Sequence, residues 1–288
     1  LIYAMSKIVC YVGVILLAFS CSIYTKINKS DQKGMKYSLS SRSFHPINNH
    51  DPQSTMDVIH KLNPKRIDWT YTKKHSFLEI YQKMNLPYSL TINPQVRDSL
   101  VYTTKKYRII DYNGVAYTAP WMKNWKQKNP YWGCVNNPFF YQLFLEQGIY
   151  LASLKPYAIM VDDAMFNARL KWEEKVGCFC THCELKFENY NTKNYKTVDG
   201  VKTLKKALRK NEMQKELVQN KNIQKAIQDY IEFQEKSVLE FLTKWKEEIR
   251  KKYPQLIFLT NNFNGNWNEI YQVFDGGMAE LNKKYVNN

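Results

Sequence analysis

Apolar positions along this chain fall into short runs of strand length, separated by longer stretches in which they recur every three or four residues. The clearest strand runs are Arg66–Tyr71, Pro87–Ile92, Ala158–Val161 and Leu256–Thr260, with weaker ones at Phe44–Asn49 and Phe274–Glu280. Helical spacing appears at Met56, Val58, Ile59 and Leu62, behind an Asp51-Pro52 start. It returns at Phe77, Ile80, Tyr81 and Met84, then over Pro138–Ser153, and again from Val201 to Tyr253, where Pro254 stops it. A short helix is predicted over Trp267–Val273. Strands alternating with helices predict an α/β fold whose sheet is parallel and wound by right-handed crossovers. The count is about six strands, near 44, 66, 87, 158, 256 and 276, with no repeat beyond the β/α alternation.

Two features interrupt the alternation. From Gln95 to Asn137 lies a loop carrying Trp121, Trp125, Tyr131 and Trp132. Aromatic faces in such a loop either stack on sugar rings or seal the mouth of a barrel, and both readings stand. At the amino end, Met5-Ser6-Lys7 precedes an apolar core, Ile8 to Ala18, which ends at Leu17-Ala18-Phe19-Ser20-Cys21. A small residue before a cysteine resembles a bacterial lipobox, with Phe19 a departure, and implies that Cys21 is acylated. A cleaved signal or a lone membrane anchor are the other readings. The expected organisation is a signal segment over 1–21, a Ser- and Lys-rich tether over 22–43 and one α/β domain over 44–288. The protein is then exported and held at the membrane by a lipid.

Composition adds bounds. The 288 residues suit one large domain or two small ones, and 44% apolar residues, with 21 tyrosines and 14 phenylalanines, supply a core. The formal charge of +16 comes from lysines spread along the whole chain among acids. No basic recognition motif accompanies them, so nucleic acid is not the expected partner.

Chemistry gathers between Ala158 and Phe187. Asp162 and Asp163 close the apolar run at 158–161, and the carboxyl end of a parallel strand is where such folds place reacting groups. Two adjacent carboxyls do not both ionise easily, so one is available as a proton donor. Cys178, Cys180 and Cys183 follow as C-x-C-x-x-C, with Cys134 as the obvious fourth thiol and His182 a weaker ligand. Four thiolates suit a closed tetrahedral Zn²⁺ site, and disulfides are the alternative for an exported protein.

Cys134 with this C-x-C-x-x-C resembles the zinc-binding cysteine set of the family 42 glycoside hydrolases, the β-galactosidases of that family. Ile231-Glu-Phe-Gln-Glu-Lys-Ser-Val-Leu-Glu-Phe241 is similar to the family's helix before strand 5, and Leu259-Thr-Asn-Asn-Phe-Asn-Gly265 to its strand-5 segment. The resemblance covers most of the chain after the tether. It implies a (β/α)8 TIM barrel, here incomplete, and a β-linked, galactose-containing carbohydrate as substrate. It also implies an acid/base at the end of strand 4, where the family's Asn-Glu is replaced by Asp162-Asp163. Asp163 falls on the acid/base position and Asp162 on the sugar-contacting Asn. The family's seventh strand and nucleophile have no counterpart, which leaves Glu280 either as the opposing carboxylate or as a ligand-binding or structural acid. Asn93, Trp121, Asn261, Asn262 and Trp267 complete the expected sugar site. Two other readings are a carbohydrate-binding lipoprotein without catalysis and an inactive, truncated fragment.

Overall fold

The computed structural model describes residues 39–40, 52–71, 75–95, 107–124, 131–173, 175–194, 200–209, 220–261 and 268–278. Two compact units divide the chain, Leu1–Asp68 with His75–Pro87 and Trp69–Lys74 with Tyr88–Asn288, so their boundary falls inside one strand. The first described strand, β1 (Leu39–Ser40), starts inside the segment read as a tether. The candidate strand at 44–49, the signal segment and Cys21 lie outside the described residues.

In the first unit, β1 pairs in parallel with the start of β2 (Ile67–Thr70), Leu39 opposite Ile67 and Ser40 opposite Asp68. Helices α1 (Pro52–Leu62) and α2 (His75–Lys83) belong here, and bury Ile59 and Leu78, Ile80 and Tyr81 respectively. Asn63 and Asn85, both in the left-handed region at φ 45° and 50°, follow these two helices. Asparagine is one of the few side chains that tolerates that conformation, which explains where both helices stop.

The second unit holds β3 (Tyr88–Ile92), α3 (Pro138–Ser153), β4 (Ala158–Val161), α4 (Thr181–Asn194), α5 (Gly200–Arg209), α6 (Lys221–Lys252), β5 (Ile257–Asn261) and β6 (Gly276–Met278). All pairings from β3 to β6 are parallel, with Leu90 opposite Ile159 and Ile159 opposite Phe258. Within this unit, β3, β4, β5 and β6 follow one another in the sheet in chain order. Among the described residues this is the sequence-ordered β/α arrangement of part of a TIM-type barrel.

Local chemistry explains the helix starts. Asn137 Oδ1 accepts from Phe139 N at 2.9 Å and Phe140 N at 3.3 Å, with Pro138 at the first helical position. Asn220 caps α6 in the same way. Between α3, α6 and β5 lies an aromatic core. Phe140 stacks on Phe241 at 5.7 Å, Phe144 meets Trp245 at 5.2 Å, and Trp245 meets Phe258 edge-on at 5.3 Å. Gly148 lets α3 approach α6 closely, since a Cβ there would lie 2.7 Å from Trp245 and Ile249.

The predicted helix from 201 to 253 is two helices among the described residues, 200–209 and 221–252. The predicted helix at 267–273 is described only as a 3₁₀ turn over Tyr271–Val273. Not foreseen was the 3₁₀ run Phe166–Glu173, directly after the paired aspartates. Nor was the structure of the aromatic loop, whose described parts form short antiparallel bridges such as Thr118–Tyr131 and Gln95–Trp132. No described helix is long and apolar enough to cross a membrane.

Candidate functional site

The carboxyl ends of β2, β3, β4 and β5 bring Tyr71, Asn93, Asp162 with Asp163, and Asn261 to the same end of the strands. Asp162 is buried and both its oxygens accept hydrogen bonds, Oδ2 from the Tyr71 hydroxyl at 2.6 Å and Oδ1 from Asn261 Nδ2 at 3.1 Å. Its backbone N–H continues the ladder to Ile92 O at 2.8 Å. Two donors on one carboxyl define an acceptor, so the geometry fits the carboxylate form. Burial, followed by the charge and the hydrogen bond of Asp162, pushes the Tyr71 phenol well above the ordinary tyrosine range, so Tyr71 stays the donor.

Asp163 is half-buried and sits at φ 56°. A non-glycine residue there carries backbone strain, which stable folds keep mainly where a side chain must be aimed. Burial pushes Tyr271 up to about 12, with Arg169 opposing the shift and Asp163 adding to it. The Tyr271 hydroxyl therefore feels both charges. Arg169 comes from the 3₁₀ run, its guanidinium 4.2 Å from the centre of the Trp121 ring and 5.4 Å from that of Trp172. Glu173 accepts from the Tyr117 hydroxyl at 2.6 Å and faces Arg169 Nε at 3.5 Å.

Of the expected sugar-site residues, Asn261 meets Asp162. Asn93 is half-buried, and its Oδ1 accepts from Gln95 N at 3.1 Å, an Asx turn that shapes the strand end. Trp121 is exposed, with one ring face under Arg169 and its edge against the buried Trp132. Trp132 thus seals the interior, while Trp121 and Trp172 show surface to solvent. Asn262, Trp267, Glu280 and the loop's Trp125 lie outside the described residues. Tyr71, Arg169 and Tyr271 were missed, although Tyr71 closes β2 as Asp162 closes β4. The same strand-end rule finds it.

The second constellation is the four cysteines. Cys134, Cys178, Cys180 and Cys183 are buried and reduced, and their sulfurs all lie within 4.8 Å of one another. Cys134 Sγ is 3.3 Å from Cys183 Sγ and 3.5 Å from Cys180 Sγ. A tetrahedral site with bonds of about 2.3 Å places its sulfurs about 3.8 Å apart, so a small contraction or expansion suffices. Backbone and amide N–H groups point at the sulfurs: Ile110 N at Cys178 at 3.5 Å, Asn136 Nδ2 at Cys183 at 3.3 Å, and Asn167 Nδ2 at Cys134 at 3.3 Å. Burial pushes the Cys178 and Cys183 thiols up, while hydrogen bonds from the neighbouring cysteines hold Cys180 down. A bound metal ion would favour the thiolate form of all four. The cluster can hold a metal ion, and His182 is exposed and outside it.

No protein-family model and no curated protein matches the sequence. Solved structures do match the fold. A family 42 β-galactosidase of G. stearothermophilus, in a catalytic-mutant form, superposes with a TM-score of 0.57 at 10% identity over 88% of this chain and 41% of its own. A β-galactosidase of the psychrophilic Marinomonas ef1 gives 0.56 at 11% identity, over 86% and 41%. An α-L-fucosidase, isoenzyme 2 of Paenibacillus thiaminolyticus, gives 0.53 at 13% identity, over 84% and 35%. The chain therefore has the fold of these glycoside hydrolase barrels and spans about two fifths of the length of the β-galactosidases. The sequence resemblance to family 42 is matched at the level of fold.

Proposed function

We propose that this chain is a divergent glycoside hydrolase domain acting on β-linked, galactose-containing carbohydrate, with Asp163 as the proton donor. The observation that carries the proposal is Asp162, fixed as an acceptor by Tyr71 and Asn261 at the strand ends. Asp163, beside it at the same strand end, is the proton donor in this reading. Glycoside hydrolysis needs such a donor on one side of the scissile bond and a second carboxyl roughly 5–10 Å away. Glu280, just beyond β6, supplies the second in this reading. Asp162 and Asn261 hold sugar hydroxyls, and Asn93, Asn262, Trp267 and Trp121 line the remainder. Aspartate is one methylene shorter than the glutamate of the resembled family, so the donor must be brought closer to the scissile bond.

The four cysteines hold a structural Zn²⁺ in the same proposal. Four sulfur ligands fill a tetrahedral shell and leave no position for substrate, so the ion supports the fold and takes no part in the reaction. Attachment to the membrane through an acylated Cys21 completes the reading. Cys21→Ala should release the protein from the membrane fraction of a bacterial host, and unchanged pelleting would favour an uncleaved anchor.

Asp163→Asn tests the catalytic assignment. Turnover of an unactivated β-galactoside should fall about 10²–10⁴-fold, the usual worth of a positioned proton donor. A nitrophenyl β-galactoside, whose leaving group needs little protonation, should lose far less. Equal losses on both substrates overturn the donor role. A wild-type chain that binds galacto-oligosaccharide and hydrolyses neither substrate leaves the binding-module reading in its place.

A further inference from the structure

The two constellations are joined through one buried amide. Asn167 is fully buried and lies in the 3₁₀ run that starts just after Asp163. Its Oδ1 accepts from Val135 N at 3.2 Å, beside Cys134. Its Nδ2 reaches Gln234 Oε1 at 3.0 Å, Cys134 Sγ at 3.3 Å and Cys183 Sγ at 3.5 Å. An amide nitrogen carries two hydrogens, so one goes to Gln234 and the other is shared by the two sulfurs. The reverse orientation would turn its oxygen toward thiolates and its NH₂ toward the Val135 N–H, which fixes the assignment. Gln234, also fully buried, holds the arrangement from α6, its Oε1 accepting from Cys178 N and its Nε2 donating to Cys178 O, each at 3.4 Å. Gly177 makes room for it, because a Cβ there would lie 2.5 Å from Gln234 Cγ.

We propose that Asn167 is a positioning residue that couples metal occupancy of the four cysteines to the conformation of the Asp163 segment. The argument is one of charge and reach. Four thiolates around a dication carry net negative charge, and N–H donors on the sulfurs offset it. Asn167 is such a donor that sits on the segment leading out of Asp163. Asp163 at φ 56° and Phe166 at φ 40° are both strained, and strain persists only where surrounding bonds over-determine it. Within that segment the backbone offers Phe166 N to Asp163 O at 3.3 Å and Ala168 N to Met165 O at 2.9 Å. The sulfur bonds of Asn167 act on the segment beside the packing of Phe166 against Phe140, Phe144 and Phe241, and of these restraints they are the ones that weaken without the metal charge.

The inference rests on the metal reading above, and the experiment separates the two. Wild type, Asn167→Ala and Gln234→Leu are prepared metal-free and loaded with Co²⁺ or Zn²⁺, and amide hydrogen exchange is followed by mass spectrometry. In wild type, metal should slow exchange about tenfold or more both in peptides spanning 164–172 and in those around Cys178–Phe187. In Asn167→Ala the 178–187 peptides should keep that response while 164–172 exchanges fast with or without metal. Gln234→Leu, which removes the acceptor that orients Asn167, should give a reduced version of the same split, and decides the matter if Asn167→Ala does not fold. The cobalt form adds a spectroscopic test. Loss of an N–H bond raises the sulfur lone pairs, so the thiolate-to-cobalt band of the variants should move to lower energy, and metal transfer to a chelator should speed up by about 10–100-fold. Metal protection of 164–172 that survives in the variants, or is missing in wild type, overturns the coupling. A wild-type chain showing no thiolate-to-cobalt band overturns the metal reading with it.

Discussion

Replacing Tyr71 by Phe removes one hydroxyl, and the consequence falls on Asp162. A neutral donor bonded to a buried carboxylate contributes about 1.5–3 kcal/mol, and here the donor comes from a strand far away in sequence. Tyr71→Phe should therefore lower stability by about that amount, read from the urea midpoint at unchanged slope. The pH dependence gives an independent check. The folded phenol ionises above its unfolded value of about 10, so its contribution is complete below that pH and is lost as the pH rises toward the folded value. The difference between wild type and Tyr71→Phe should stay level from neutrality to about pH 10 and shrink above it. A difference that already shrinks near neutral pH would mean that some other group carries the effect. At this scale the aspartate pair was legible because both acids adjoin one apolar run. Tyr71 was legible only by its place at the end of β2 and Arg169 not at all, because what gives them meaning is contact across the fold. Tyr71 looks like one more alternating strand residue, and Arg169 like one more cation in a basic chain.

Between elements, Asp275 does the joining. Its N–H donates to Phe258 O at 2.8 Å and its Oδ2 accepts from Phe258 N at 2.9 Å, so it extends the register of β5 toward β6. From α6, Lys246 reaches Oδ1 at 2.9 Å and Arg250 reaches Oδ2 at 2.8 Å. Burial opposes ionisation, but the Lys246 bond, the Phe258 N–H and the two cations outweigh it and hold the carboxyl below its usual value. A depressed folded value stabilises above the unfolded value of about 3.9 and is lost as the pH falls through the folded one. Asp275→Asn should cost about 1 kcal/mol at pH 7, a figure reduced for solvent screening of a partly exposed group, and nothing once the pH has fallen below the folded value. Melting curves across that range check it, and a constant offset at every pH would sink the ionic account. Gly148→Ala makes the matching steric test. Its methyl would meet Trp245 and Ile249 at 2.7 Å, so α3 must move off α6 at a cost of about 1–3 kcal/mol. Helix periodicity showed both helices in advance. It could not show that a glycine in one faces a tryptophan in the other, nor that the 166–173 segment is a 3₁₀ run, since that run has no apolar stripe to announce it.

For the molecule as a whole, two cores inside one unit matter more than the strand count. The aromatic core around Phe144 and Phe241 packs α3 and α6 against the sheet. The second core surrounds the cysteines with Trp132, Phe179, Phe187, Tyr230 and Phe233, and takes in Val201 and Leu204 of α5. Three of its four sulfurs come from six consecutive residues, which is why the cluster could be read from spacing. Its membership could not, because Trp132, Tyr230 and Val201 are gathered only by the fold. The second core buries four thiols that hold one another at 3.3–3.5 Å where the contacts are closest. Without a cation that packing sets desolvated sulfurs against each other with no compensating charge, whereas the aromatic core contains nothing that a metal supports. Chelation should therefore not lower stability evenly. Metal-free protein should show a separate, earlier transition, about 10 °C or more below the loaded protein, on the scale that a few kcal/mol produces in a chain of this size. Limited proteolysis below that transition should cut first in α4 and α5 and leave α3, the end of α6 and β5 intact. One unchanged transition after the metal has been stripped would show that the cysteines pack as ordinary apolar side chains, and would remove the structural metal from the account of this fold.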